Sequence, residues 1–281
     1  MTRPALLLPW VVTACSGDQP AEQEPCELGM AVTADGGAHA TLAAAVAAAV
    51  GLDGTIDVCA GEHEVDGYFD PSVKGNTSGT VTIRGAGIDR TSLVFVGEHA
   101  GGGYAADPIL MSDLSIHRSA TAWRLDACTN PGESDTECDS PFDRDGRPEG
   151  ALEIAGAWAF DRVQIGDNEG YWGGALTVTH PLEGNRSEIK FTDCELVNNS
   201  ALDSSGGAIL VDYNDAWGPR GELTITSINT DWGTGDDDNT PDDIAFASWD
   251  GYFHDSLVVH ASYQFDGVAD FTCDALAYIC E

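Results

Sequence analysis

The chain has 281 residues, of which 47 are acidic and 12 basic, for a formal net charge of −35. A field of that sign repels nucleic acid and anionic lipid headgroups, and it disfavours a polyanionic substrate unless bound cations screen the carboxylates. No apolar run reaches the roughly 20 residues that a membrane-spanning helix needs.

In chain order, residues 1–14 read as a processing signal: Arg3 gives a short basic start, Ala5 to Val12 an apolar stretch, and Val12-Thr13-Ala14 small residues ahead of Cys15. Val12-Thr13-Ala14-Cys15 resembles a lipobox, although such sites more often carry Leu where Val12 stands. The resemblance implies that Cys15 becomes the acylated N-terminus of a bacterial lipoprotein held at the outer membrane or cell surface. The other readings are a soluble secreted protein with an ordinary signal peptide, or a buried apolar N-terminus. Residues 15–25 then form the acylated cysteine and a flexible tether, polar and Pro-containing. Residues 26–281 are compatible with one large all-β domain, expected to be monomeric.

In an exported chain the remaining cysteines read as disulfides. Proximity pairs Cys128 with Cys138 and Cys273 with Cys280, with Cys26 and Cys59 as the third pair and Cys194 left over; other connectivities stay open. No spacing suggests zinc.

Thr41 to Val50 is an Ala-rich stretch that predicts a helix with Thr41 as its N-cap. Strands are predicted at Thr55 to Val58, Val81 to Arg84 and Leu93 to Val96, between Gly-rich turns. Four later segments share the pattern apolar-x-apolar-x-x-apolar-x-apolar: Ile109 to Ile116, Trp158 to Ile165, Ile189 to Leu196 and Leu223 to Thr230, with only Thr230 outside the apolar class. Alternation with period two marks strands, and the x-x step a bend that keeps the apolar side inward. A second element follows as Gly150-Ala151-Leu152, Gly174-Ala175-Leu176 and Gly207-Ala208-Ile209, the last two preceded by Gly173 and Gly206, which suit a turn with positive φ. The spacings from Trp158 to Ile189 and on to Leu223, 31 and 34 residues, are those of a stacked repeat. In this alignment Trp158 is core, Cys194 matches Val163 and Ile228 as a buried inert thiol, and Asn168 and Asn199 match as rungs of an internal amide ladder.

Ala40-Thr41-Leu42 to Ala60-Gly61-Glu62-His63, followed by Val81-Thr82-Ile83-Arg84-Gly85-Ala86-Gly87, resembles the opening of pectin-lyase-like proteins. Asn198-Asn199-Ser200-Ala201 with Gly206-Gly207-Ala208-Ile209 resembles the repeats of polymorphic outer-membrane proteins. The resemblance spans about residues 40 to 230. It implies an all-β fold, a single-stranded right-handed parallel β-helix (a solenoid), in which the helix at Thr41 caps the first coil and the aromatic-rich tail from Ile244 to Glu281 the last. It says little about activity, because the fold carries many.

Two long inserts, His117 to Glu149 and Asp231 to Asp243, fall at the Gly-Ala turn in this alignment. Asp231, Asp236, Asp237, Asp238, Asp242 and Asp243 are candidate Ca²⁺ ligands, because the cation takes 6–8 hard oxygens. The competing reading is a solvated acidic loop. On a second edge, His180, Arg186, Tyr213, Trp217 and Arg220 mix aromatic faces with polar groups, a combination that can stack on sugar rings, or else the aromatics cover their own loops.

A lyase of this fold needs a cationic base near calcium-holding acids, and only Arg84, Arg118, Arg162 and Lys190 lie in or beside the predicted strands. Asp242-Asp243 is an adjacent pair, but no Gly-His-Gly, Gly-x-Ser-x-Gly, HExxH or P-loop accompanies it, so no catalytic residue is assigned. Two functions remain. One is a non-catalytic, lipid-anchored surface protein, structural or adhesive, whose partner is a polysaccharide or another surface protein. The alternative is a divergent calcium-dependent polysaccharide lyase or hydrolase.

Overall fold

The computed structural model describes residues 31–33, 37–49, 53–65, 79–96, 101–118, 150–170, 173–179, 181, 185–201, 206–212, 221–233, 235–240, 242–247, 271–274 and 279–280. These are mostly β, with one helix, and most strands belong to a single many-stranded sheet dominated by parallel pairing. No helix among the described residues is long and apolar enough to cross a membrane.

The opening follows the sequence closely. After β1 (Ala31–Thr33) and β2 (Ala38–His39) comes α1 (Leu42–Ala49). The Thr41 hydroxyl accepts from Ala44 N at 3.2 Å, satisfying one of the helix's orphan donors. Leu42, Ala45, Val46 and Ala49 form its buried stripe and join the core that contains Ile56. Next come β3 (Thr55–Val58), β4 (Gly61–Val65), β5 (Val81–Arg84) and β6 (Thr91–Phe95).

Two long strands, β7 (Gly101–Arg118) and β8 (Leu152–Gly166), carry the centre of the sheet. Beyond them lie β9 (Glu169–Gly170), β10 (Leu176–Thr179), β11 (Arg186–Thr192), β12 (Glu195–Val197), β13 (Ser200–Ala201), β14 (Gly206–Asp212), β15 (Glu222–Ile228) and β16 (Asp242–Ala247). Each pairs in parallel with its counterpart one repeat away. Ile56, Ile83, Met111, Phe160, Phe191 and Ser227 are successive register partners, and all are buried. Leu93, Ile116, Ile165 and Leu196 form a second such column, and Leu152, Leu176, Ile209 and Ile244 a third. The aromatic members stack, with Phe160 and Phe191 centroids 5.1 Å apart. Trp158 is core, as predicted.

Both ends of the first column's sheet are finished by reversed strands. At one end β1 runs antiparallel to β3 and β2 antiparallel to β1; at the other β17 (Phe271–Asp274) runs antiparallel to β15 and β18 (Ile279–Cys280) antiparallel to β17. The tail thus both extends a column, through β16, and covers an edge. Cys273 and Cys280 are Cα partners across β17 and β18.

The predicted x-x bends of the first three segments are left-handed at their second residue, Asp113, Arg162 and Asp193, with φ of 56°, 54° and 51°; in the fourth the left-handed residue is Asn229, with φ of 50°, two places beyond the predicted Thr226-Ser227. Three of these four are Asp or Asn, the non-glycine residues that enter this region most readily.

Three sequence expectations are corrected. First, Ile189 pairs with Ile225, and Leu223 with Ser187, so the fourth repeat sits two residues from its predicted register and Thr230, not Ile228, takes the place matching Cys194. A slip of two keeps every side chain on its own face, so alternation does not reveal it. Bulk fixes it: Trp232 packs edge-on to Phe191 with centroids 5.9 Å apart and donates to Ser227 Oγ at 3.1 Å, filling room the small Ser227 leaves. Second, Asp231 to Asp243 is not an insert at the Gly-Ala turn, because Asp231 bridges to Glu195, Thr240 to Ser200, and Asp242 pairs with Gly206. Only the 3₁₀ turn at Gly235–Asp237 bulges from the repeat.

Third, Gly173 and Gly206 are not among the residues with positive φ. Glycine is required at these corners by close backbone approach instead. A Cβ on Gly207 would stand 2.5 Å from Thr240 N and 2.7 Å from Thr240 O, distances no real Cβ tolerates.

Candidate functional site

The acidic run is the first place to look for chemistry. Asp231, Asp236, Asp237 and Asp238 are exposed, while Asp243 is buried. Asp231 Oδ1 accepts from Gly233 N at 3.0 Å and Asp238 Oδ1 from Asn239 N at 3.1 Å, so two of the carboxylates serve the turn itself. Among the described residues no group of three or more His, Cys, Asp or Glu is placed to hold a metal ion. The six carboxylates named as candidate calcium ligands are thus not brought together as a metal-binding group among the described residues, the Asp242 side chain lying outside them.

What gathers at Asp243 is an amide column running through the core. Asn168 Oδ1 accepts from Arg118 N at 2.7 Å. Asn199 Oδ1 accepts from Asn168 N at 3.2 Å and Asn168 Nδ2 at 2.9 Å; Asn239 Oδ1 accepts from Asn199 N at 3.1 Å and Asn199 Nδ2 at 2.9 Å. Asn239 Nδ2 then donates to Asp243 Oδ1 at 2.8 Å, as well as to Leu196 O and Trp232 O. The first two rungs were legible from matching turn positions. Asn239 was not, because the 3₁₀ turn displaces it along the chain; its backbone neighbour Thr240, bridged to Ser200, shows the match. The column satisfies buried backbone groups that would otherwise be orphaned. It gives Asp243 a structural partner.

Three of the four cations considered as catalytic bases have partners of their own. Arg84 pairs with Asp57 at 2.6 Å, Arg162 with Asp113 and Asp161 at 2.7 Å each, and the buried Arg118 donates to Gly150 O at 2.8 Å. Lys190 is exposed on β11. The Arg162 guanidinium hydrogen-bonds Asp113 and holds its carboxyl below the ordinary value, overcoming the opposing effect of burial; Asp113 in turn raises the Arg162 value. This pair tightens one left-handed bend against the next. Because it is substantially exposed, Arg162→Ala should cost only about 0.5–1 kcal/mol in urea unfolding. The depressed Asp113 value means that this contribution is present above the unfolded carboxylate range and is lost as pH falls through the folded value. A loss above about 2 kcal/mol would show the bend to be more than an exposed ion pair.

Cys194 is a free, buried thiol whose Sγ donates to Phe160 O and Thr192 O at 3.4 and 3.3 Å. Burial pushes its pKa up to about 11. At pH 8 it stays protonated, so a disulfide reagent should leave the Cys194 peptide unlabelled in the native protein and label it on unfolding in urea. Rapid native labelling would contradict the burial. Cys59 is disulfide-bonded and buried. Cys15, Cys26, Cys128 and Cys138 lie outside the described residues.

Of the sugar-stacking candidates, only Arg186 is described; it is exposed and ion-paired to Glu222. His180, Tyr213, Trp217 and Arg220 lie outside the described residues. Comparison with protein-family models, with curated proteins and with solved structures finds no match to this chain. Function is inferred from the chain's own residues.

Proposed function

We propose that this chain is a non-catalytic, lipid-anchored surface protein: a signal at residues 1–14, an acylated Cys15 on a short tether, and from residue 26 a single-stranded right-handed parallel β-helix of the pectin-lyase-like kind. The observation that carries the reading is the continuous parallel register, repeat on repeat, with Ile56 to Ser227 and Leu152 to Ile244 as unbroken buried columns. Such stacking makes an elongated body whose length grows with repeat number. Several of the groups that an enzyme of this fold would use have other partners: Asp243 is bonded by Asn239, Arg84 by Asp57, and Arg162 by Asp113 and Asp161. A structural or adhesive role follows, with a polysaccharide or another surface protein as partner.

The test is expression of the full chain in a bacterium with an outer membrane, with labelled palmitate and protease added to intact cells. Label on the parent chain, its loss in Cys15→Ser, and digestion from outside are the expected results. An unlabelled chain retained in the cytoplasm would overturn the anchor. Calcium-dependent turnover of a uronate polymer by the purified domain would overturn the non-catalytic role.

A further inference from the structure

Three triplets in the chain fit Asn-x-Ser/Thr with x other than Pro: Asn76-Thr77-Ser78, Asn185-Arg186-Ser187 and Asn198-Asn199-Ser200. On an exported chain such a triplet is an acceptor for N-linked sugar. Asn76 is outside the described residues. Asn198 is exposed but committed: its Nδ2 donates to Asp167 Oδ1, its backbone N donates to Asp237 O at 2.7 Å, and its φ is a left-handed 54°. Asn185 differs. It is exposed at the entrance to β11, with its carbonyl accepting from Glu222 N at 3.1 Å and its side-chain amide making no hydrogen bond among the described residues. It alone of the three has an acidic residue two places ahead, Glu183, the extended pattern that bacterial transferases of this class select.

We propose that Asn185 is an N-glycosylation site, and that it is modified before β11 is built into the sheet. The proposal rests on the exported reading above. The donor is an oligosaccharide joined through its anomeric carbon to a polyprenyl pyrophosphate. Asn185 Nδ2 attacks that carbon, the bond from carbon to pyrophosphate oxygen breaks, the lipid pyrophosphate leaves with the electron pair, and Nδ2 gives up one proton. A transferase must also hold the hydroxyl of the third residue. In the folded protein Ser187 is 3% exposed, and its Oγ accepts from Gly156 N at 2.9 Å, at a corner where Gly156 has a φ of 87°. That hydroxyl is sequestered once β11 lies between β8 and β15. The exposed Asn185 can then carry the sugar outward without disturbing the fold. Order of events is therefore built into adjacent residues: Asn185 tolerates the product, and Ser187 forbids the reaction after folding.

The test presents the full chain, either folded or freshly diluted from urea, to a detergent-solubilised bacterial oligosaccharyltransferase and a polyprenyl-pyrophosphate-linked oligosaccharide. Intact mass and glycopeptides are read. The unfolded chain should gain a sugar on the Asn185 peptide, and the folded chain should do so at least about tenfold more slowly, because β11 must first open. Asn185→Gln, which only moves an exposed amide outward by one methylene, should lose that sugar; Asn198→Gln should keep it. An unfolded chain unmodified at Asn185, or a folded chain modified as fast as an unfolded one, would overturn the proposal. The same bacterium used for the palmitate test, supplied with the transferase, separates the two readings. A chain modified in vitro but retained in the cytoplasm leaves the acceptor standing and sinks the surface role; a chain that reaches the surface yet stays unmodified at Asn185 in both settings sinks the acceptor alone.

Discussion

Asn199→Ala should lower the unfolding free energy by about 2–3 kcal/mol, since one buried donor loses its partner at about 1–3 kcal/mol and a buried carbonyl loses a side-chain donor while keeping its place in the strand ladder. The groups are Asn168 N, which donates to Asn199 Oδ1, and Ile165 O, which accepts from Asn199 Nδ2 at 2.9 Å. Asn168 Nδ2 retains Gly166 O at 3.0 Å, so the damage is local to the middle rung. Asn199→Asp supplies a sharper test. Its carboxylate would face Ile165 O and Asn239 Oδ1, both acceptors, in a site that is 1% exposed. Burial beside acceptors raises the folded-state pKa of the new acid above the unfolded value of about 3.9. The folded state then holds the proton more tightly, so stability falls as pH rises through that window and the variant does best in acid. Urea titrations at pH 4 and pH 7 decide the matter. If Asn199→Ala stays within about 0.5 kcal/mol of the parent, the column is not what satisfies these groups.

Gly174→Ala should also be strongly damaging, by about 3 kcal/mol or more, although it adds a single methyl group. A Cβ there would overlap Gly207 O and stand 2.7 Å from Ser200 N. Both are backbone atoms of the next repeat, so no side-chain rotation relieves the clash. Gly166→Ala makes the control: its Cβ would meet Val197 O at 3.2 Å, tight but within reach of a small shift, and about 1 kcal/mol or less is expected. Equal midpoints for the two variants in urea would show that the Gly-Ala corners are looser than their backbone spacing implies.

Much of the fold was legible because it depends on local rules that repeat. Thr41 caps the helix, Thr55–Val58 and Val81–Arg84 are strands at their predicted bounds, and Asn168 and Asn199 stack. What was not legible depends on volume across repeats. The register of Leu223 and Ile225 is decided by how Trp232 and Ser227 share space, and a pattern of period two is blind to it. The glycines were correctly singled out for the wrong physical reason, since positive φ and close approach select the same residue. The site was harder still. A run of Asp codons the same solvated turn or cation cage in sequence, and only geometry shows that Asp231 and Asp238 bond their own turn while Asp243 closes the amide column.

The reversed strands at the two ends bear on how such a molecule can change size. With β2 and β18 each two residues long, neither end of the first column's sheet offers, among the described residues, much edge on which a second chain could continue it. On that column an added repeat is therefore accommodated in the interior. Duplicating the segment from Trp158 to Glu188 would insert one more layer between two existing ones, lengthening the body by about 4.8 Å while both termini keep their own neighbours. Along that column the ends act like bookends: the shelf is extended from within, one volume at a time.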